Sequence, residues 1–231
     1  MIEETDFETF LYISKNKYQI FVYDKNNLKN LYNAEVNFDE EVEFNSLSKF
    51  LDENIYKIEK KVNNFIKDII LIIDDQKILS INISIKKKNY QKYKNQKYLE
   101  NNLKEIKDIF RENYKNQIIM HMIIVNNDSI ENNFLSNSLN TNDENIYIEV
   151  NFISISNSFT MIFDKLLEIH QIRIKQFMSA NYTKSFFGED PAELPKIATQ
   201  LNNGLNQNEV ILVSKPTRNK GFFEKFFQLF S

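Results

Sequence analysis

Two histidines and one pair of adjacent carboxylates are the side chains of this sequence that most readily suggest chemistry. His121 and His170 are the only imidazoles, and neither lies near a second histidine or in an H-E-x-x-H setting. The chain has no cysteine, so thiolate metal sites and disulfides are excluded. The sequence therefore predicts no metal site. His121 lies within an apolar strand, and we interpret it as a satisfied core residue.

The adjacent carboxylates are Asp74 and Asp75, which follow a buried strand, where α/β enzymes often place catalytic acids. A turn in a loop is the commoner explanation for such a pair. Phosphate-binding loops need several residues that tolerate positive φ, and the only glycines, Gly188, Gly204 and Gly221, do not cluster. The sequence thus predicts no catalytic residue, no cofactor site and a protein that is not an enzyme.

The charge and the composition narrow the class of partner. The formal net charge is −3, and the lysines are interleaved with acidic residues and asparagines, so the basic surface of a nucleic-acid binder is missing. No apolar run approaches the ~20 residues that a membrane-spanning helix needs, and the chain does not open with a secretory signal pattern. We therefore expect a cytosolic protein with one fair-sized core or two small ones.

Alternating and helical apolar patterns follow one another along the chain, which predicts an α+β fold with helices on one side of the sheets. Strands are predicted within residues 10–24 (two short strands), 31–36, 69–73, 78–85, 118–125, 146–155 and 172–177. Helices are predicted at residues 47–66 and 99–114 and after a cap at Ser156 or Asn157.

The last segment, GFFEKFFQLFS, carries an aromatic stripe when it is read as a helix. Basic residues beside the stripe favour an anionic membrane surface, and each buried phenylalanine would contribute on the order of 2 kcal/mol. The segment is predicted to lie on the membrane, and the alternative is a terminal helix that docks on its own domain. The predicted membrane-binding residues are Phe222, Phe223, Phe226, Phe227, Leu229, Phe230, Lys220 and Lys225.

Several strings of this sequence resemble the bacterial cell-division protein FtsA, an actin-like family that tethers FtsZ filaments to the inner membrane. YISKNKYQIFV at residues 12–22 stands where the family has its first phosphate loop, with Tyr12, Ser14 and Lys15 in place of Asp, Gly and Thr. HMIIVNNDSIENNF from residue 121 and the stretch from residue 146 to 186 resemble the family's inserted subdomain. PKIATQLNNGL from residue 195 and the C-terminal segment are similar to the end of the FtsA core and to its membrane-targeting helix.

The resemblance implies four parts: a partial actin-like subdomain at residues 1–82, an inserted subdomain at 83–187, a linker at 188–220 and an amphipathic helix at 221–231. It implies a peripheral cell-division protein on the cytoplasmic side of the membrane, at the division site, which does not hydrolyse ATP. The implied partners are anionic lipids of the cytoplasmic membrane and divisome proteins, FtsN-like ones above all, with contact to FtsZ left open. Self-association through the inserted subdomain is implied as well.

Two other functions are consistent with the same features. The first is an actin-like, membrane-associated assembly protein of a pilus or secretion system, which would share the fold but serve another envelope machine. The second is a soluble ATPase, which the scarcity of glycine argues against.

Overall fold

The computed structural model describes residues 6–38, 44–88, 96–127, 145–186 and 194–210. The strands in these ranges are β1 Phe7–Ser14, β2 Lys17–Asp24, β3 Lys29–Asn37, β4 Asp68–Asp74, β5 Leu79–Lys88, β6 Gln117–Asn127, β7 Asn145–Ser156 and β8 Arg173–Ser179. The helices are α1 Phe44–Val62, α2 Gln96–Asn113, α3 Asn157–Glu168, α4 Ala180–Lys184 and α5 Leu194–Asn202. The α+β class predicted from the sequence is confirmed.

The larger sheet has five strands in the order β3-β2-β1-β4-β8. β1, β2 and β3 form an antiparallel meander, whereas β4 lies parallel to β1 and β8 lies parallel to β4. Parallel neighbours need a crossover connection, and α1 supplies it between the meander and β4. The carboxyl ends of β1, β4 and β8 therefore meet at one edge of this sheet.

Helices cover both faces of the larger sheet, which differs from the predicted one-sided arrangement. Leu11 and Ile13 pack with α1 and α3 on one face, whereas Phe10 and Tyr12 pack with α4 and α5 on the other. β1 and β2 are buried at nearly every position, as expected for strands that are covered on both sides.

The smaller sheet has three antiparallel strands in the order β5-β7-β6, and α2 covers one of its faces. Phe110 of α2 stacks on Phe152 of β7 with ring centroids 4.6 Å apart. β5 belongs to this sheet from Leu79 onward, whereas β8 pairs with β4 in the larger sheet. The larger sheet therefore takes its strands from residues 7–74 and 173–179, and the smaller sheet takes its strands from residues 79–156.

Local signals explain where two helices begin or end. The Ser156 hydroxyl accepts the Phe159 N–H at 3.2 Å and caps α3, as predicted. α1 ends at Val62, before the predicted residue 66, and Asn63 adopts φ = +53°, the left-handed conformation that often terminates helices. None of the helices in the described part of the chain combines the length and hydropathy of a membrane span.

Candidate functional site

A cleft of about 820 Å³ opens where β1, β4 and the segment after β8 meet. This is the edge at which open α/β sheets place their ligands, because the carboxyl ends of parallel strands leave a crevice there. Side chains of both charges and several aromatic rings line the cleft. The charged and aromatic lining residues are Lys15, Lys77, Lys184, Asp74, Asp75, Tyr12, Tyr18, Phe159 and Phe163.

Three side chains from three elements converge in this cleft, and we call them the Tyr12–Asp74–Lys184 cluster. The Tyr12 hydroxyl of β1 donates to Asp74 Oδ2 at the end of β4, with an oxygen-to-oxygen distance of 2.7 Å. Lys184 Nζ, from the last residue of α4, forms an ion pair with the same Asp74 oxygen and lies 3.1 Å from the Tyr12 hydroxyl. The cluster thus joins β1, β4 and α4 directly.

The pKa values of the cluster follow from its partial burial and its internal hydrogen bonds. Burial alone would raise the pKa of Asp74, but the bonds from Lys184 and Tyr12 outweigh it and hold this pKa below 3.8. Burial would lower the pKa of Lys184, yet the bonds to Asp74 and Tyr12 raise it above 10.5. Burial, aided by the bond to Asp74, raises the pKa of Tyr12 above 10.0. At neutral pH the cluster is therefore a carboxylate, an ammonium group and a neutral phenol.

The two adjacent carboxylates, Asp74 and Asp75, have different roles in the structure. Asp74 is neutralised by Lys184, whereas Asp75 accepts the Lys77 N–H at 2.7 Å and shapes the turn that leads to β5. Within the described ranges, no three histidine, aspartate or glutamate side chains come close enough to hold a metal ion. The arrangement can hold three elements together and can present cations to an anion, but Asp74 is not a free catalytic base.

His121 lies in a second cluster, at the junction of the two sheets. The Ser179 backbone N–H donates to His121 Nε2 at 2.9 Å, so the ring proton is on Nδ1, which donates to Glu209 Oε1 at 2.7 Å. The Tyr182 hydroxyl donates to the other Glu209 oxygen at 2.7 Å, and Asn206 donates to that hydroxyl at 2.9 Å. His121 is therefore a satisfied buried residue, as the sequence indicated, and its partner Glu209 was not foreseen.

The chain after α5 pairs with the smaller sheet through backbone hydrogen bonds next to His121. Glu209 forms an antiparallel bridge with Ile123 of β6. The Val210 N–H donates to the Met122 carbonyl at 2.8 Å, and the Ile124 N–H donates to the Asn208 carbonyl at 2.9 Å. Residues 208–210 thus cover part of the outer edge of β6.

The sequence matches no family model and no curated protein. The structure is similar to a number of solved structures, among them the following three. The PilM-PilN type IV pilus biogenesis complex shares 8% identity and a TM-score of 0.48, covering 78% of this chain and 49% of that chain. The cytoplasmic domain of EpsL, an inner membrane component of the type II secretion system of Vibrio cholerae, shares 6% identity and a TM-score of 0.39, covering 75% of this chain and 57% of that one.

The third structure is a Bacteroides thetaiotaomicron protein with an actin-like ATPase fold and unknown function. It shares 16% identity and a TM-score of 0.33, covering 80% of this chain and 58% of that one. The chain spans about half the length of the solved structures that it matches. Because all three TM-scores are below 0.5, these similarities assign neither a family nor an activity.

The predicted membrane-binding residues lie outside the described residues, since these end at Val210. His170, the other histidine of the chain, lies apart from His121, and its Nε2 atom is 3.5 Å from the exposed Asp52 carboxylate.

The sequence did not identify Tyr12 or Lys184 as candidate residues of the cleft. Tyr12 was named only within the string that resembles the first phosphate loop of FtsA, where it stands in place of an aspartate.

Proposed function

We propose that this chain is a membrane-associated scaffold of actin-like architecture that acts in cell division without binding or hydrolysing ATP. The observation that carries the proposal is the Tyr12–Asp74–Lys184 cluster. The cluster links the elements around the cleft with side chains of the protein itself, so a nucleotide is not needed to hold them together.

The chemistry of the cleft supports the proposal that the chain does not bind a nucleotide. Catalysis on Mg²⁺-ATP uses carboxylates that hold the metal or orient a nucleophile, and Asp74 is neutralised by Lys184 in this cleft. The turn between β1 and β2 contains Lys15 and Asn16 and no glycine, so its backbone cannot approach a phosphate as a glycine-rich loop does. Both features fit a scaffold better than an ATPase.

The C-terminal sequence supports the membrane part of the proposal. Phe222, Phe223, Phe226, Phe227 and Phe230 have the spacing of one helical stripe. A short aromatic helix with flanking lysines gives weak, reversible binding to anionic lipid. Such a scaffold would carry partner proteins to the inner face of the membrane.

Nucleotide binding is tested by titrating the full chain with Mg²⁺-ATP in a calorimeter. We expect no saturable heat. A saturable isotherm that is lost in Lys184→Met would contradict the proposal, because it would make the cleft a nucleotide site. Tyr12→Phe is the matched control, since it retains the ring and the Asp74–Lys184 ion pair.

Membrane binding is tested by flotation of the full chain with anionic vesicles. The double variant Phe226→Asp/Phe227→Asp should stay at the bottom of the gradient, whereas Phe226→Leu/Phe227→Leu should float as the parent chain does. Equal flotation of both variants would show that the stripe does not bind lipid.

The cellular role is tested with a fluorescent fusion and by co-purification from the organism of origin. Midcell localisation together with FtsN-like or FtsZ partners supports division. Recovery of pilus or secretion components instead would support the alternative envelope machine and refute the division role.

A further inference from the structure

The outer edge of β5 is an unpaired strand edge in the smaller sheet. β5 is the terminal strand of the order β5-β7-β6, and from Leu79 to Lys88 it pairs with β7 without a register shift. No described residue pairs with its other edge. Long, regular edges present a row of free backbone N–H and C=O groups, which can pair with another strand.

The opposite edge of the same sheet is protected. β6 has two register shifts against β7, and residues 208–210 pair with its outer side. Native proteins usually protect an edge by bulges or by covering it in this way. β5 has neither a bulge nor a proline, and within the described ranges the protective feature of this edge is the lysine run at its carboxyl end.

The side chains of β5 also indicate a missing neighbour. Ile81, Ile83 and Ile85 point toward α2, yet all three are only partly buried, whereas Val150 and Phe152 of the central strand are fully buried. Another strand beside β5 would cover the flank of the three isoleucines. Apolar surface removed from water in this way stabilises the pair.

We propose that β5 pairs with β5 of a second copy of this chain, antiparallel and about a two-fold axis at Ile83. Residues that directly face each other across an antiparallel pair point to the same side of the sheet. In this register Ile83 faces Ile83 of the second copy and Ile81 faces Ile85, so the isoleucine stripe runs across the interface. On the opposite side of the sheet Asn82 faces Ser84, so small polar side chains meet each other.

The charges of β5 favour this register. Lys86 faces Ser80 and Lys87 faces Leu79, so the two lysine runs lie at opposite ends of the interface and no like charges face each other. Leu79, which is 41% exposed, gains the aliphatic stem of Lys87 as a neighbour. If the two-fold axis were shifted by one residue toward the lysine run, Lys87 would lie opposite Ile81. That register is therefore less favourable than the proposed one.

The interface is isologous and closes at two copies, because a two-fold axis uses the same surface of both chains. It leaves the Tyr12–Asp74–Lys184 cluster and the junction around His121 untouched, since neither involves β5. The pairing therefore stands or fails independently of the function proposed above.

Cysteine cross-linking tests the register without interference, because the chain has no cysteine of its own. Facing Cα atoms in an antiparallel pair lie about 4.5–5.5 Å apart, which a disulfide can span. Ile83→Cys should thus form a covalent dimer on oxidation. In Ile81→Cys the two thiols would be separated by four residues along the strands, or roughly 13 Å, and this matched control should remain monomeric. A bis-maleimide of short span serves as a second reagent.

A pair of charge variants tests the same contact in solution. Asn82→Lys/Ser84→Lys places like charges opposite each other twice, whereas Asn82→Glu/Ser84→Lys places opposite charges there. Both variants have a lysine opposite Glu149 of β7. In sedimentation velocity the first variant should be a monomer, and the second should be a dimer at least as stable as that of the parent chain.

Any one of four results would overturn the proposal. The first is a parent chain that sediments as a monomer at every concentration. The second is equal cross-linking of Ile83→Cys and Ile81→Cys, which would indicate random collision. The third is a dimer that both charge variants retain equally, which would place the contact elsewhere on the molecule. Binding of an acidic peptide to a monomeric chain would also exclude the second copy as the occupant.

Discussion

Replacing Lys184 with methionine should destabilise the protein by about 1–2 kcal/mol at pH 7. Methionine retains most of the aliphatic length of lysine but removes the cation that neutralises Asp74. The Asp74 carboxylate would then keep its bond from Tyr12 and lose its ion pair, while it stays partly withdrawn from water.

The magnitude follows from the exposure of the two partners. The Asp74 side chain is 28% exposed and the Lys184 side chain is 41% exposed. Exposed ion pairs contribute about 0–1 kcal/mol, whereas breaking a fully buried pair costs about 3–5 kcal/mol. The pair in the cleft lies between these limits, and solvent screening on the Lys184 side moves the expected value toward the lower one.

The directions of the Asp74 and Lys184 pKa shifts determine how the stability effect of Lys184→Met depends on pH. The folded-state pKa of Asp74 is lowered, so its contribution is present above the unfolded value of 3.8 and is lost as the pH falls through the folded value. The pKa of Lys184 is raised, so its contribution is present below 10.5 and is lost as the pH rises through the folded value. The difference between the parent chain and Lys184→Met should therefore be constant from about pH 5 to pH 9 and should decrease as the pH falls below 3.8.

Urea denaturation at several pH values, followed by circular dichroism, measures this difference. Arg173→Met is the matched control, because it removes a cation from the ion pair with Asp68 while Arg173 itself is 80% exposed. Arg173→Met should lower the free energy of unfolding much less than Lys184→Met does. Equal stability of Lys184→Met and the parent chain between pH 5 and pH 9, or a difference that does not decrease as the pH is lowered below 3.8, would refute the reasoning.

Three further changes test other parts of the structure by the same denaturation measurement. Phe110→Ala should cost about 3–5 kcal/mol because the ring is fully buried; a cost below about 1 kcal/mol would contradict its placement in the core. Ser156→Ala should cost about 1 kcal/mol by removing the cap of α3, and Ser156→Thr should restore most of it. Glu209→Ala should cost about 1–3 kcal/mol, because His121 and Tyr182 would each lose a buried partner; an unchanged midpoint would refute that role.

The elements could be predicted from the sequence because their signals are local. Alternating patterns and one continuous apolar run located the strands, and the polar residues before an apolar helical pattern placed the cap at Ser156 or Asn157, of which Ser156 forms it. The pairing of the strands is not a local property. β8 joins β4 only because the intervening chain folds back as a separate three-stranded sheet, and no periodicity within residues 173–179 reveals that partner.

The candidate site was predictable in part for the same reason. Asp74 could be located at the end of a buried strand, since strand and carboxylate are adjacent in sequence. Lys184 lies 172 positions from Tyr12 and 110 positions from Asp74, so only the tertiary fold brings the cluster together. In a chain this rich in lysine, no single lysine stands out as the partner of a carboxylate.

The two proposals can be tested together, since a dimer would carry two copies of the proposed C-terminal membrane anchor. Linked binding sites gain affinity over a single site, typically by a factor of about 10²–10⁴ when both can engage. Asn82→Lys/Ser84→Lys should therefore float less well with anionic vesicles than Asn82→Glu/Ser84→Lys, although both retain the C-terminal segment. Net charge alone predicts the opposite order, because the first variant is the more basic one. Stronger flotation of the more basic variant would thus show that charge outweighs pairing through β5 in membrane binding.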